Sequence, residues 1–396
     1  MEFQRLFEIL LLVETSCMHG RGIIEGVSAY AVEQGGSWVV YPQNRSLNDG
    51  YPSWLKKWSG DGIIARSNSD SMVKAIRKTH IPCVELLGTK TPDVTVDEKS
   101  VSRMAAVHFL DRGLKNFAFF GHGTPWWSHW RRQNFNLTLQ EHGFHTHVFK
   151  SKHRSKLILP SWNATAEAEL VAWLRWLPKP IGLLCSTDIE AIIATGACRR
   201  AGVSVPEEVA VLGVDNDQML CHATNPQISS IDLNAFLVGY RAAELLHKRI
   251  LKTDDGTKLP ILTQPAFIET RMSTDMIAVN DEDVAEALRF IRCHTASVTV
   301  TDITHHLCIS QSTLYRKFKK SIGRSPEHEI IRTKLNLAKQ LLLQTQLSLG
   351  SIAAKTGFSP LPYFVGAFKK GCGVTPMVFR KEQKYPRNQA DKKELK

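Results

Sequence analysis

The apolar residues of this 396-residue chain change their spacing once, and that change fixes what the chain can fold into. Up to about residue 270, short unbroken apolar runs alternate with longer stretches in which apolar residues recur every three or four positions. The runs at 6–13, 38–41, 62–65, 82–86, 117–121, 146–149, 181–185 and 209–214 read as strands. The stretches at 22–34, 100–112, 130–141, 164–174, 189–201 and 233–251 read as helices. An unbroken apolar strand needs cover on both faces, so the alternation predicts α/β architecture: parallel sheets flanked by helices. Ligands of such sheets bind beyond the carboxyl ends of the strands, so functional residues are expected in the loops that follow strands. From 284 to about 380 only helical spacing remains, which predicts a separate all-α unit. The expected division is an α/β unit at 1–272, a polar linker at 273–283, a helical unit at 284–382 and a charged, disordered tail at 383–396.

Charge divides at the same place. Residues 1–279 carry 30 Lys and Arg against 28 Asp and Glu, whereas residues 280–396 carry 20 against 10. Nearly all of the net +12 therefore lies in the helical unit, the footprint of a DNA-binding module joined to a neutral one. The eight cysteines are scattered, with no C-x-x-C and no zinc spacing, as expected of reduced thiols in a cytoplasm. The apolar start is too short for a membrane span and poor as a signal peptide, and it reads better as a first buried strand. There is no G-x-S-x-G, phosphate loop or metal cluster, so neither cofactor nor metal nor membrane partner is expected.

Two segments of the helical unit have helix-turn-helix form. In the first, 301–321, Ile303 and Leu307 lie on one helix, Cys308 and Ile309 make a turn, and Ser310 suits the N-cap of the next helix. Leu314, Phe318 and Ile322 give that helix a buried stripe, and its other face carries Gln311, Thr313, Tyr315, Arg316, Lys317, Lys319 and Lys320. In the second, 350–370, Gly357 suits a turn of positive φ, Ser359 is the expected cap and Pro360 the first helical residue. Phe364 and Phe368 form its buried stripe, and Ile331, Leu335, Ala338 and Leu342 mark a long connecting helix.

The order SQSTLYRKFKKSIGRSP, RTKLNLAKQLL, SIAAKTGFSPLPYFVGAFKK and GVTPMVFR resembles the AraC-type DNA-binding domain over about 100 residues. The resemblance implies that the second helix of each unit enters a major groove of double-stranded DNA, in successive grooves on one face. It makes Gln311, Ser312, Thr313, Tyr315, Arg316 and Lys319 candidate DNA contacts in the first unit, and Pro360, Leu361, Tyr363 and Lys369 in the second. Arg316 suits bidentate contact with guanine, and the lysines suit phosphates. The second unit departs from the pattern, because Leu361, Pro362, Val365 and Gly366 stand where polar or basic residues are common, so the first unit is expected to read more sequence.

The segments GIIEGVSAYA, DGIIA, VTVDEKSVSRMAAVHFLDRGLKNFAFFG, STDIEAIIATGACRRAGVSVPEEVAVLGVDN and ISSIDLNAFLVGYRAAELL resemble the sugar-binding core of the LacI-type and periplasmic-binding-protein superfamily. That resemblance implies two α/β lobes with a monosaccharide effector, such as D-xylose, between them. Asp188 and Asp215 follow strands and match positions that hold ligand hydroxyls, while Arg131 matches a position that often donates to the sugar. Trp126 and Trp127, with Trp130, are expected in the loop before the Arg131 helix as aromatic cover, and Arg21 with Glu14 on the opposite side. The combination implies a cytoplasmic homodimeric transcription regulator, activating through RNA polymerase, with repression as the alternative. An enzyme could use paired Asp residues as acid and base, but the same positions match binding proteins that catalyse nothing. A secreted binding protein fits neither the chain's start nor its basic end.

The two kinds of DNA contact are separable by mutation. Arg316→Ala should cost roughly 1–3 kcal/mol and relax sequence preference. Lys319→Ala should weaken binding to all sequences alike and lower its salt dependence. Binding titrations over a salt series, on several duplexes, check both; identical behaviour would refute the division of roles.

Overall fold

Strand β1 (Phe7–Leu12) shows why the first apolar run is unbroken: Ile9 and Leu11 enter one core while Leu10 and Leu12 enter another on the opposite face. The computed structural model describes residues 5–46, 49–86, 92–121, 126–150, 164–254, 256, 259–276, 278–279 and 281–384, the side chains of 344 and 382–384 excepted. The expected disordered tail lies outside the described residues, apart from 383 and 384, which continue a helix.

The first lobe runs β1, α1 (Met18–Glu33), β2 (Trp38–Pro42), β3 (Gly62–Ala65), α2 (Asp70–Arg77), β4 (Cys83–Glu85) and β5 (Val94–Val96). Its four-stranded sheet is parallel, in the order β2-β1-β3-β4. The second lobe runs α3 (Glu98–Leu110), β6 (Asn116–Phe120), α4 (Trp126–Gln140), β7 (Thr146–Val148), α5 (Ala164–Trp176), β8 (Ile181–Cys185), α6 (Asp188–Ala201), β9 (Val209–Val214), α7 (Gln218–His222) and β10 (Ser229–Ile231). The chain then returns as α8 (Ala235–Ile250) on the first lobe, pairs β11 (Ile261–Thr263) with β5, and adds β12 (Ile268–Glu269) antiparallel to β10. The second sheet thus has the order β12-β10-β9-β8-β6-β7.

The chain crosses between lobes at 96–98, 231–235 and 263–268. Backbone hydrogen bonds tie the crossings together: Asp97 N–H donates to the Thr263 carbonyl at 2.8 Å, and Asp232 N–H to that of Phe267 at 2.9 Å. Helices α1 and α8 meet so closely that a Cβ on Gly26 would overlap the Phe236 carbonyl oxygen, and one on Gly239 that of Ile23.

The α/β and all-helical division is as expected, but three local readings are corrected. Helix α4 begins at Trp126, so Trp126, Trp127 and Trp130 lie within it and Arg131 sits in its second turn rather than at its start. Ser359 does not cap: Pro360 is the N-cap in extended backbone, with no side-chain cap, and the helix starts at Leu361. The 273–283 stretch is not a free linker, because Ser273 and Thr274 are fully buried against the second lobe. The Thr274 carbonyl accepts from Arg112 at 2.6 Å, and its hydroxyl pairs with His108 at 2.9 Å.

Seven helices follow: α9 (Glu282–Cys293), α10 (Val300–Leu307), α11 (Gln311–Ile322), α12 (Pro326–Gln344), α13 (Leu349–Lys355), α14 (Leu361–Cys372) and α15 (Pro376–Lys384). They form two cores. Leu314 and Phe318 of α11 pack with Ile303 and with Ile330 of α12 in the first. Leu335, Ala338 and Leu342 of α12 pack with Ile352, Phe364 and Phe368 in the second. One helix therefore belongs to both.

This helical domain is pinned to the α/β unit by charge. Asp111, at the end of α3, meets Arg324 at 3.1 Å and also Arg332, and Glu329 takes the other faces of both arginines, from Arg324 at 2.5 Å and Arg332 at 2.6 Å. Beyond this network a cavity of about 1300 Å³ separates the domains, with Val107 and Phe267 on one side and Asn336 and Gln340 on the other.

The close helix crossing predicts a contrast between glycines. Gly26→Ala should destabilise the α/β unit by about 1–3 kcal/mol through overpacking. Gly366→Ala, on an exposed turn of α14 with open space around it, should be neutral or stabilise by up to about 1 kcal/mol. Thermal unfolding of the full chain checks both; an unchanged midpoint for Gly26→Ala would refute the tight crossing.

Candidate functional site

The cleft between the lobes collects side chains from strand ends. Glu14 follows β1 and is buried in an ion pair with Arg66, which follows β3. From the second lobe, Arg131 makes a two-pronged pair with Glu98, the first residue of α3, at 2.8 and 2.7 Å, and donates a third bond to the Ser186 carbonyl. The Trp127 ring lies 5.2 Å from the Arg131 guanidinium carbon, so Trp127 braces that arginine. Trp126 and Trp130 are largely exposed.

Both ring nitrogens of His19 and Nε of Arg66 are buried in this cleft with no hydrogen-bond partner among the described residues. Buried polar groups are rarely left unpaired, so these atoms face space meant for something polar. Burial first, and the Arg131 charge second, lower the His19 imidazole to about 4. It is thus neutral near pH 7, and its 4.0 Å approach to Asp215 is neither a hydrogen bond nor an ion pair. Burial also lowers Arg66, to about 10, which leaves it a cation.

The two predicted aspartates have different fates. Asp188 opens α6 and is almost wholly buried; its carboxylate accepts from Ser230 Oγ at 2.5 Å and from the Asp217 N–H at 2.7 Å. It ties β8 to the β9–α7 turn and to β10, and does not line the cavity. Asp215 does line it, with 27 % of its side chain exposed. Its φ of +108° is uncommon for a residue with a Cβ, and such strain concentrates at functional sites. Asn216 and Arg271 fix the turn from behind, at 2.9 Å.

The cavity beside these groups measures about 440 Å³, within the range of small-molecule sites. Met18, His19, Arg21, Asp215, Asp232 and Phe236 line it, together with Phe267 and Leu343. Arg21 also donates to the Thr15 carbonyl at 2.9 Å. The structure therefore brings Arg21 and Asp215 to the cavity and Arg131 with Trp127 to the adjoining cleft, but not Asp188. Sequence reasoning missed Arg66, Glu98 and His19, although Arg66 directly follows a fully buried strand, the place where ligand residues are expected. Arg66 and Arg131 are each paired with a carboxylate, Arg21 is held by the Thr15 carbonyl, and Asp215 adds a further carboxyl group. The arrangement suits a neutral, hydroxyl-bearing ligand better than an anion.

The second candidate surface is the outer face of α11 and α14. Gln311, Ser312, Arg316 and Lys319 are exposed, while Thr313 and Tyr315 are half-buried, Thr313 sharing the Ser310 hydroxyl at 2.9 Å. Lys317 is not available: it is ion-paired with Asp281 at 3.0 Å and Asp283 at 2.6 Å. Of the second unit's candidates, Pro360, Leu361, Tyr363 and Lys369 are all exposed.

Burial first, and the Asp188 charge second, raise Asp215 to about 8. The folded chain then binds a proton at this site that the unfolded chain releases near pH 4. That contribution to stability is complete below pH 4 and is lost as pH rises towards 8. The midpoint of thermal unfolding should thus fall between pH 5 and pH 8, and fall less in Asp215→Asn, which has nothing to ionise there. Equal falls in both proteins would exclude Asp215 as the group responsible.

Comparison with known proteins adds sequence-wide likeness to this geometry. Residues 8–96 match the XylR N-terminal domain, residues 106–274 the periplasmic binding protein-like domain and residues 303–382 a helix-turn-helix domain. The chain is 28% identical to the xylose operon regulatory protein of Haemophilus influenzae over 391 residues, 95% of this chain and 99% of the relative. It is equally identical to that of Escherichia coli K12 over 394 residues, 96% and 98% of the two chains. The solved structure of the xylose-binding transcription activator XylR aligns with a TM-score of 0.61 at 27% identity, covering 96% of this chain and 99% of the other. With an XylR N-terminal domain, a periplasmic-binding-like domain and a C-terminal helix-turn-helix domain, the chain is a homologue of the xylose operon regulatory proteins.

Proposed function

We propose that this chain is a sugar-responsive, sequence-specific DNA-binding transcription regulator, an activator of a sugar-utilisation operon whose effector is a neutral monosaccharide, D-xylose first among them. The observation that carries the sugar reading is the set of buried atoms with no partner among the described residues, His19 Nδ1 and Nε2 and Arg66 Nε, in a cleft where Glu14 and Glu98 are already paired with arginines. Hydroxyl groups both donate and accept, so one polyol satisfies a neutral imidazole, a guanidinium and the Asp215 carboxyl together. Phe236 and Phe267 offer apolar cover for the C–H face of a sugar ring. A sugar acid or phosphate would add negative charge beside Glu14 and Glu98, whose arginine partners are already paired. Arg21, Arg131 and Trp127 complete the proposed site, and Asp188 supports it by holding the Asp217 turn.

In the DNA-binding domain, α11 and α14 enter successive major grooves, with Gln311, Arg316 and Lys319 as the principal contacts and α14 contributing more packing than readout. The regulator acts as a cytoplasmic homodimer on double-stranded DNA, contacting RNA polymerase. The likeness to the relatives named above supports these roles.

Calorimetric titration with D-xylose, L-arabinose, D-ribose, D-glucose and xylonate tests the sensor reading. One neutral sugar should give saturable heat, and xylonate none. Asp215→Asn, chosen because Asn tolerates positive φ, should weaken that sugar by roughly 0.5–1.5 kcal/mol through disruption of the carboxyl's hydrogen bonding. Binding of xylonate in preference to D-xylose, or of no sugar at all, would overturn the assignment.

A further inference from the structure

Helix α12 touches the sensor in three places. Near its start, Glu329 and Arg332 share the Asp111 network on the second lobe. Further along, Gln340 Nε2 donates to Glu269 Oε2 of β12 at 2.9 Å. In its last turn, Leu343 forms part of the wall of the 440 Å³ cavity that Met18, Arg21 and Asp215 also line. From Glu329 to Leu343 is about 21 Å of helix, so α12 reaches from the end of α3 to the mouth of the cleft. Between those ends, the Gln340 bond apart, the 1300 Å³ cavity lies between the helix and the sensor.

The same helix supplies Ile330 to the core behind α11 and Leu335, Ala338 and Leu342 to the core behind α14. Lys334 adds a bond to the Gly357 carbonyl at 3.1 Å, in the turn before α14. A change in how α12 sits on the sensor therefore moves both candidate recognition helices.

We infer that the last turn of α12, through Leu343, is a movable wall of the effector site, so that the DNA-binding domain is itself part of what the sugar touches. This rests on the sugar reading of the cleft. A ligand in the cavity gains the Leu343 contact only when α12 is seated, which gives it the differential affinity for one arrangement that any coupling requires. Asp111 is the fixed end of the lever and Leu343 the end that reports occupancy.

Hydrogen exchange of the full chain, with and without saturating D-xylose or whichever panel sugar gives the stronger heat, tests this. Sugar should slow exchange in the last two turns of α12 and in α13 by at least about fivefold, the lower end of common allosteric couplings. In Leu343→Ala the sugar should bind more weakly, and at saturating sugar that protection should disappear; Leu343→Met, which keeps the contact, should retain both. Full protection in Leu343→Ala, with sugar bound, overturns the inference and leaves the sugar reading standing. No heat from any sugar with the unsubstituted chain removes the sugar reading and this inference with it.

Discussion

Asp111 is where the two halves of the molecule are joined. It closes α3 of the sensor, yet its carboxylate is claimed by Arg324 and Arg332 of the helical domain, and Glu329 completes a four-membered network. Such a cluster contributes little as attraction alone, because burying the charges offsets much of what their pairing returns. Its force is conditional: separating the domains would strand two arginines beside one carboxylate. The interface therefore has one firm point and, elsewhere, the looser contacts around a large cavity. That design permits pivoting and discourages dissociation.

The cleft uses charge in the same conditional way. Glu14 with Arg66, and Glu98 with Arg131, are pairs drawn within each lobe rather than between lobes. Each lobe thus presents a charged but compensated face, and the lobes need not attract one another strongly when the space between them is empty. The unpartnered nitrogens of His19 and Arg66 leave a deficit of hydrogen bonds that only a third participant can meet.

Much of this was legible in the sequence, and the parts that were not share a cause. Long buried strands and the two helix-turn-helix units declare themselves by local spacing, which is why 62–65, 181–185 and 209–214 match their strands at both ends. The crossing strands β5, β10, β11 and β12 are two or three residues long, too short for any period to show. Asp188 and Asp215 have the same local signature, an aspartate just after a buried strand. What separates them is Ser230 and the Asp217 backbone, brought up from 42 and 29 positions away to occupy one of the two. The Ser359 cap failed for a local reason: Pro360 takes extended backbone and becomes the boundary residue itself. Arg66 and Glu98 stayed hidden because a charge in a loop shows its importance only when its partner is seen.

The pairing of Lys317 with Asp281 and Asp283 has a thermodynamic corollary. DNA releases its condensed counterions only to cations that are free to replace them, and the salt dependence of binding counts those replacements. A lysine already paired at the start of α9 adds to the domain's tally of basic residues without adding to that count. The number of ions set free on operator binding is accordingly smaller than the 20 Lys and Arg of the last third of the chain imply, and the hold on DNA should decline less steeply with salt than that tally alone would lead one to expect.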